Sequence, residues 1–192
     1  EALRVADAGV VTCPTSNFIV GRALCPVRTW LDEGVQVSVG TDAAGGWSTS
    51  LLVALRHVVV ASRLLAEQEN DLHKSITWRE ALYLATKGGA QVLGLDVGAI
   101  EEGKPFDALI LDLGDSGPYE GDAPYDAVLP EDDLNTLFER FIWNGDDRNI
   151  LHVFVDGKRV SGSAPQRSII FQGRANPLFK SLFSGALLAV CT

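Results

Sequence analysis

The stretch Val35-Gln-Val-Ser-Val-Gly-Thr-Asp-Ala-Ala-Gly-Gly46 constrains this chain more than any other. Val35, Val37 and Val39 alternate with smaller or polar residues, the period-2 pattern of a strand with one apolar face. The strand runs straight into Gly40-Thr41-Asp42, and Gly45-Gly46 follow, so a tight turn and a close backbone approach are expected there. Asp42 is thereby a carboxylate at the carboxyl end of an apolar strand. In α/β proteins that end is where ligands and catalytic groups gather. Two roles stand open on position alone: a cap for the helix that follows, or a catalytic carboxylate.

The neighbouring segments repeat a strand–helix rhythm. Residues 1–7 read as a helix end, Val10 to Cys13 as a short strand stopped by Pro14, and Thr15-Ser-Asn17 as a polar loop at that strand's carboxyl end. The loop's hydroxyls and amide either bond the turn or meet a ligand. A helix over Pro26 to Glu33 closes at Gly34 in a left-handed cap. After the Gly-rich turn, Ser48 to Ser50 open a long helix whose apolar stripe is Leu51, Leu52, Leu55, Val58, Val59, Leu65 and Ala66, interrupted by Ser62. Strand, helix, strand, helix in this order predicts parallel pairing with helices packed outside.

Further along, Thr77-Trp-Arg-Glu80 has the spacing of a capping box. Its helix is expected to end at Gly88-Gly89, with a short helix to Leu95 after it. The rest is β-rich: a strand over Ala108 to Leu113, and a hairpin of Ile150 to Val155 with Lys158 to Val160 across Asp156-Gly157. Between them a helix over Pro130 to Ile142 carries a stripe of Leu134, Leu137, Phe138, Phe141 and Ile142. From Glu101 to Asp147 there are 14 acids and two bases, which reads as a solvated face, much of it in the loop 115–126. Residues 161–192 hold no acids and three bases and read as an atypical tail.

Composition narrows the partners. The chain of 192 residues is 46% hydrophobic, enough for a folded core. Its net charge of −9 disfavours nucleic acid and anionic membranes. Cys13, Cys25 and Cys191 are odd in number and lack metal-ligand spacing, which fits a reduced intracellular setting. His57, His73 and His152 lie singly, in a helix, a polar loop and a strand, and read as ordinary surface or boundary residues. The chain contains no methionine and begins at Glu1, so it is expected to be a piece of a longer protein whose front is missing.

Several segments taken together resemble the guanine deaminases of the amidohydrolase superfamily, in its metal-dependent branch. They are Val11-Thr-Cys-Pro-Thr-Ser-Asn17, Val39-Gly-Thr-Asp-Ala-Ala-Gly-Gly46, Glu80-Ala-Leu-Tyr-Leu-Ala-Thr-Lys-Gly-Gly-Ala90 with Leu93-Gly-Leu95, Glu102-Gly-Lys-Pro-Phe-Asp-Ala-Leu-Ile110 and Gly145-Asp-Asp-Arg-Asn149. The last, with the Gly-Gly after Asp42, is what narrows the likeness to guanine deaminases. It extends from about Glu1 to Val160 and covers the back part of the family's chain.

The resemblance implies an α/β fold: the last part of a (β/α)8 TIM-like barrel plus part of an appended β-sandwich. The expected boundaries are 1–96 for the last βα units, 97–160 for the sandwich portion with one helix, and 161–192 for the tail. It also implies one Zn2+ per active site and a homodimer in the complete, cytoplasmic enzyme, with guanine as substrate and purine catabolism as setting. Asp42 would be both the catalytic and a metal-side residue, taking a proton from metal-bound water and passing protons to the purine as ammonia leaves; substrate-binding residues are not identified.

The family's His-x-His pair and its two later zinc histidines have no counterparts here. A single carboxylate cannot hold catalytic zinc, so the chain alone is expected to be inactive. Two strands cannot close a barrel of eight either, which leaves strand edges open to aggregation. The alternatives are another aminohydrolase or chlorohydrolase of the same superfamily, and a non-catalytic dimerisation or regulatory partner.

Overall fold

The computed structural model describes residues 2–21, 24–113 and 132–162. The chain divides into two compact units, one closing at Gly98 and the other starting at Ala99. The loop 115–126, Pro130, Glu131 and the tail from residue 163 lie outside the described residues.

The first unit is α/β. After α1 (Ala2–Val5) come β1 (Val10–Thr12), α2 (Pro14–Ile19), α3 (Val27–Asp32), β2 (Val37–Val39), α4 (Leu51–Gln68), a 3₁₀ turn (Leu72–Lys74), α5 (Trp78–Ala85) and α6 (Lys87–Val92). β1 and β2 pair in parallel, Val10 with Val37, Val11 with Ser38 and Thr12 with Val39. Parallel pairing needs a crossover between the strands, and α2 and α3 supply it. β2 is buried along its whole length, because helices cover it. Among the described residues this sheet has two strands and no closed barrel.

α4 contributes more buried apolar residues than any other element described. Ala54, Leu55, Val58, Ala61, Ser62 and Ala66 are its buried residues, at helical spacing. Ser62, which looked like an interruption, is a buried clamp: its Oγ donates to Val59 O at 2.9 Å and accepts from Ile76 N at 3.0 Å. A buried hydroxyl is tolerated when both its roles are filled.

In the first unit, two expectations about local structure need correction. Thr15, Ser16 and Asn17 lie in α2 rather than in a loop. Pro14, read as a strand stop, is also the first residue of that helix, where its missing N–H costs nothing. Gly88 and Gly89 lie inside α6 rather than ending α5. A Cβ at Gly88 would meet the Val37 and Tyr83 carbonyl oxygens, each at 3.1 Å, so the glycine lets the helix approach β2 closely.

The capping box of α5 is present in full. Thr77 Oγ1 accepts from Glu80 N at 3.2 Å, and Glu80 Oε2 accepts from Thr77 N at 2.8 Å. Glu80 also takes the Arg28 guanidinium at 2.5 Å. Burial pushes the Glu80 carboxyl up, but hydrogen bonds from the Thr77 backbone, Arg28 and the Thr77 hydroxyl outweigh it and hold the group below the ordinary glutamate range. A lowered folded value stabilises the fold above the ordinary pKa, and that stability is lost as pH falls through the lowered one. Thr77→Ala is expected to cost about 1 kcal/mol in urea unfolding at neutral pH; an unchanged midpoint would show that the cap is dispensable.

The second unit contains β3 (Ala108–Leu111), α7 (Leu134–Asn144), β4 (Ile150–Val155) and β5 (Lys158–Ser161). Its sheet is antiparallel in the order β3-β4-β5. The β4–β5 turn is at Asp156-Gly157, where both residues have positive φ (49° and 72°), as a type I′ hairpin requires. α7 starts at Leu134, later than the Pro130 expected, because the Asp133 side chain caps it by accepting from Thr136 N at 2.7 Å. The described residues of this unit form one three-stranded sheet. No helix among the described residues is long and apolar enough to cross a membrane.

Candidate active site at the mouth of β2

β2 ends at Val39, and the chain leaves its carboxyl end through Gly40, Thr41 and Asp42. Asp42 is exposed and left-handed, with φ 46°. Ala44 lies at φ 106°, a region a side chain rarely enters. Gly46 N donates to Asp42 O at 2.7 Å, folding residues 42–46 back on themselves. Strain at two non-glycine positions of one turn, Asp42 and Ala44, persists only where surrounding contacts over-determine it.

Those contacts come from α2. Thr15 is almost wholly buried, and its Oγ1 donates to Thr41 O at 3.2 Å. A Cβ on Gly45 would stand 2.6 Å from Asp42 Oδ2 and 3.2 Å from Ser16 Oγ. The carboxylate therefore lies over Gly45, next to Ser16, in space that only a glycine leaves open. Asn17 turns to the other side, donating from Nδ2 to Cys25 Sγ at 2.9 Å. Of the two roles open to Thr15–Asn17, Thr15 and Asn17 bond the protein itself.

Cys13 sits between the two strand ends. Burial pushes its thiol up, and so do the negative charge of Asp42 and the proximity of Cys25, while hydrogen bonds from the Asp42 and Gly40 backbone pull the other way. Such a thiol is mostly protonated at neutral pH and is a poor metal ligand or nucleophile.

Each histidine has its own local surroundings. His57, on α4, packs edge-on to Phe18 and Trp47 with ring centroids 5.5 and 5.1 Å away. Burial, and then the charge of Arg56, push its imidazole down. His73 is exposed in the 3₁₀ turn, its backbone N–H bonded to Asp71 Oδ1. His152 lies on β4, edge-on to Phe154. Among the described residues no three of His, Cys, Asp or Glu stand together as a metal site. Zinc needs three or more protein ligands, so the donors described here do not fit it by themselves.

Gly145-Asp-Asp-Arg-Asn149 turns out to be a folding device. Asp146 and Asn149 form a reciprocal cap: Asp146 accepts from Arg148 N, and Asn149 Oδ1 accepts from Asp146 N at 3.1 Å. Asn149 is fully buried and donates from Nδ2 to Asp112 O at 2.9 Å. The Arg148 guanidinium folds onto the Asp146 carboxylate, with Nη2 at 2.7 Å.

The sequence model described as the amidohydrolase family matches residues 2–160. The guanine deaminase of Rattus norvegicus is 40% identical over 159 residues, which are 80% of this chain and 34% of that protein. Among solved structures, guanine deaminase from C. acetobutylicum with bound guanine in the active site superposes with a TM-score of 0.71 at 33% identity, over 83% of this chain and 35% of that one. An adenosine deaminase from Xanthomonas campestris with bound zinc superposes with a TM-score of 0.60 at 25% identity, over 79% and 31% respectively. The chain thus spans about a third of the length of the relatives it matches.

Proposed function

The chain belongs to the amidohydrolase family, and from that premise we propose that it supplies the last βα units and the Asp42 carboxylate of a guanine deaminase, which converts guanine and water to xanthine and ammonia. Residues 1–96 are the barrel portion in this reading, 97–160 the sandwich portion and 161–192 a tail. The complete enzyme is a cytoplasmic homodimer of purine catabolism that binds neither nucleic acid nor membrane. What carries the reading is a carboxylate held in a strained turn at a parallel strand's carboxyl mouth, in a chain 40% identical to a guanine deaminase.

Asp42 does the proton work. Its carboxylate accepts a proton from the attacking water as the new C–O bond forms at the purine carbon and the ring C=N electron pair moves onto the ring nitrogen. The proton then goes to the departing amine as the C–N bond breaks and the C=N bond re-forms, and the remaining hydroxyl proton passes to the ring nitrogen to give xanthine. A positioned carboxylate contributes about 10²–10⁴-fold to such steps. Zinc belongs to the complete enzyme as one ion per site. Asp42 offers at most one of its donors, and the others must come from outside the residues described here.

A chimera tests the substrate assignment. Residues 1–160 of this chain replace the matching third of rat guanine deaminase, and the product is assayed with guanine, adenine, cytosine and a chlorotriazine. Guanine turnover with the others near background is expected. Preference for another ring would favour a different aminohydrolase or chlorohydrolase, and a folded chimera inactive on all four would favour a non-catalytic partner.

A further inference from the structure

We propose that Thr15 is a positioning residue whose hydroxyl, seated in room left by Gly46, holds Asp42 in its left-handed conformation; the functional weight of this rests on the role proposed for Asp42. Four observations meet at this point. Thr15 is 1% exposed, so its Oγ1 has no water to bond and depends on a protein partner. That partner is Thr41 O at 3.2 Å, across 26 residues of chain. The Thr41 carbonyl belongs to the peptide that joins Thr41 to Asp42, so the hydrogen bond orients the plane from which the Asp42 φ is measured. Asp42 then adopts φ 46° and returns its own carbonyl to Gly46 N.

Gly46 completes the arrangement by lacking a side chain. A Cβ there would overlap Thr15 Oγ1 and stand 2.6 Å from Thr41 O, displacing both partners of the bond. Gly45 does the same for the carboxylate itself, since a Cβ would stand 2.6 Å from Asp42 Oδ2. α2 is thus tied to the turn at the peptide preceding Asp42, and the two glycines make the approach possible. Without the tie, nothing else described holds the aspartate in a left-handed conformation that residues with a side chain disfavour.

The test uses the rat chimera, labelled with ¹⁵N in residues 1–160, and three variants: Thr15→Val, Thr15→Ser and Gly46→Ala. Two quantities are read: the three-bond amide–α-proton coupling of Asp42, which reports φ, and hydrogen exchange of the Gly46 amide. Thr15→Val keeps the shape and removes the hydroxyl. It is expected to change the Asp42 coupling and to speed Gly46 exchange about tenfold, the effect of losing about 1.4 kcal/mol, while α4 and α5 amides keep their rates. Thr15→Ser keeps the hydroxyl and is expected to match the parent on both readings. Gly46→Ala should mimic Thr15→Val with Thr15 intact.

An unchanged Asp42 coupling and Gly46 exchange in Thr15→Val would overturn the proposal. If that variant unfolds, Thr15→Ser decides, because a displaced Asp42 in a protein that retains the hydroxyl would overturn it equally. These readings do not depend on deamination, so they hold or fail separately from the role of Asp42. In the rat chimera, Thr15→Val is expected to lower kcat and leave KM unchanged.

Discussion

The purified 192-residue chain, given zinc and guanine, is expected to form no xanthine above the buffer rate. Catalytic zinc is held by three protein ligands with one position kept open. All three histidines of the chain lie in the described residues, and none approaches such an arrangement. His57 is packed between two aromatic rings on α4, His73 is on an exposed turn, and His152 is on a strand of the second unit. Asp42 and Cys13 are neighbours, but the thiol is held protonated by burial and by the Asp42 charge. A carboxylate facing solvent can still accept a proton from water. Without an electrophilic partner for that water and a group to hold the purine, though, it gains little of the million-fold or more, in order of magnitude, that enzymes supply. Xanthine release that scales with chain concentration and stops with a chelator would overturn this. It would mean that residues outside those described complete the centre.

In the rat chimera, Asp42→Asn is expected to lower kcat by about 10²–10⁴-fold while KM moves little. The amide keeps the shape of the side chain and its place over Gly45, yet it has no useful basicity. An effect confined to kcat therefore reports a group that acts in the transition state rather than one that binds substrate. Circular dichroism and the unfolding midpoint should match the parent chimera, since Asp42 is exposed and contributes no core packing. A variant that keeps kcat within a few-fold would return Asp42 to the other role open to it, the cap of the following helix. That role has little support in the geometry: the N-cap of α4 is Ser50, not Asp42.

Much of the scaffold can be read without coordinates, because it rests on interactions between residues near in sequence. The Thr77–Glu80 box spans four residues, the β4–β5 turn two, and the stripe on α4 repeats every three or four. Each follows from the reach of one helical turn or one hairpin. The misreadings come where one residue type serves two local structures. Pro14 ends a strand and starts a helix, and Gly88-Gly89 can stop a helix or let one approach a strand. Only the neighbours in space choose between them.

The sequence by itself placed a carboxylate after an apolar strand, predicted the parallel pair, and pointed by resemblance to the amidohydrolase family. It could not show how that carboxylate is held. Thr15 and Thr41 are 26 residues apart, and nothing in either segment signals the other. Their hydrogen bond exists because β1 and β2 lie side by side, which brings the first turn of α2 against the exit of β2. The left-handed Asp42, the carboxylate over Gly45 and the room at Gly46 all follow from that contact. Local periodicity and capping act within a few residues, whereas a site at a strand mouth is assembled from separate strand–helix units, and its geometry is set only when they pack.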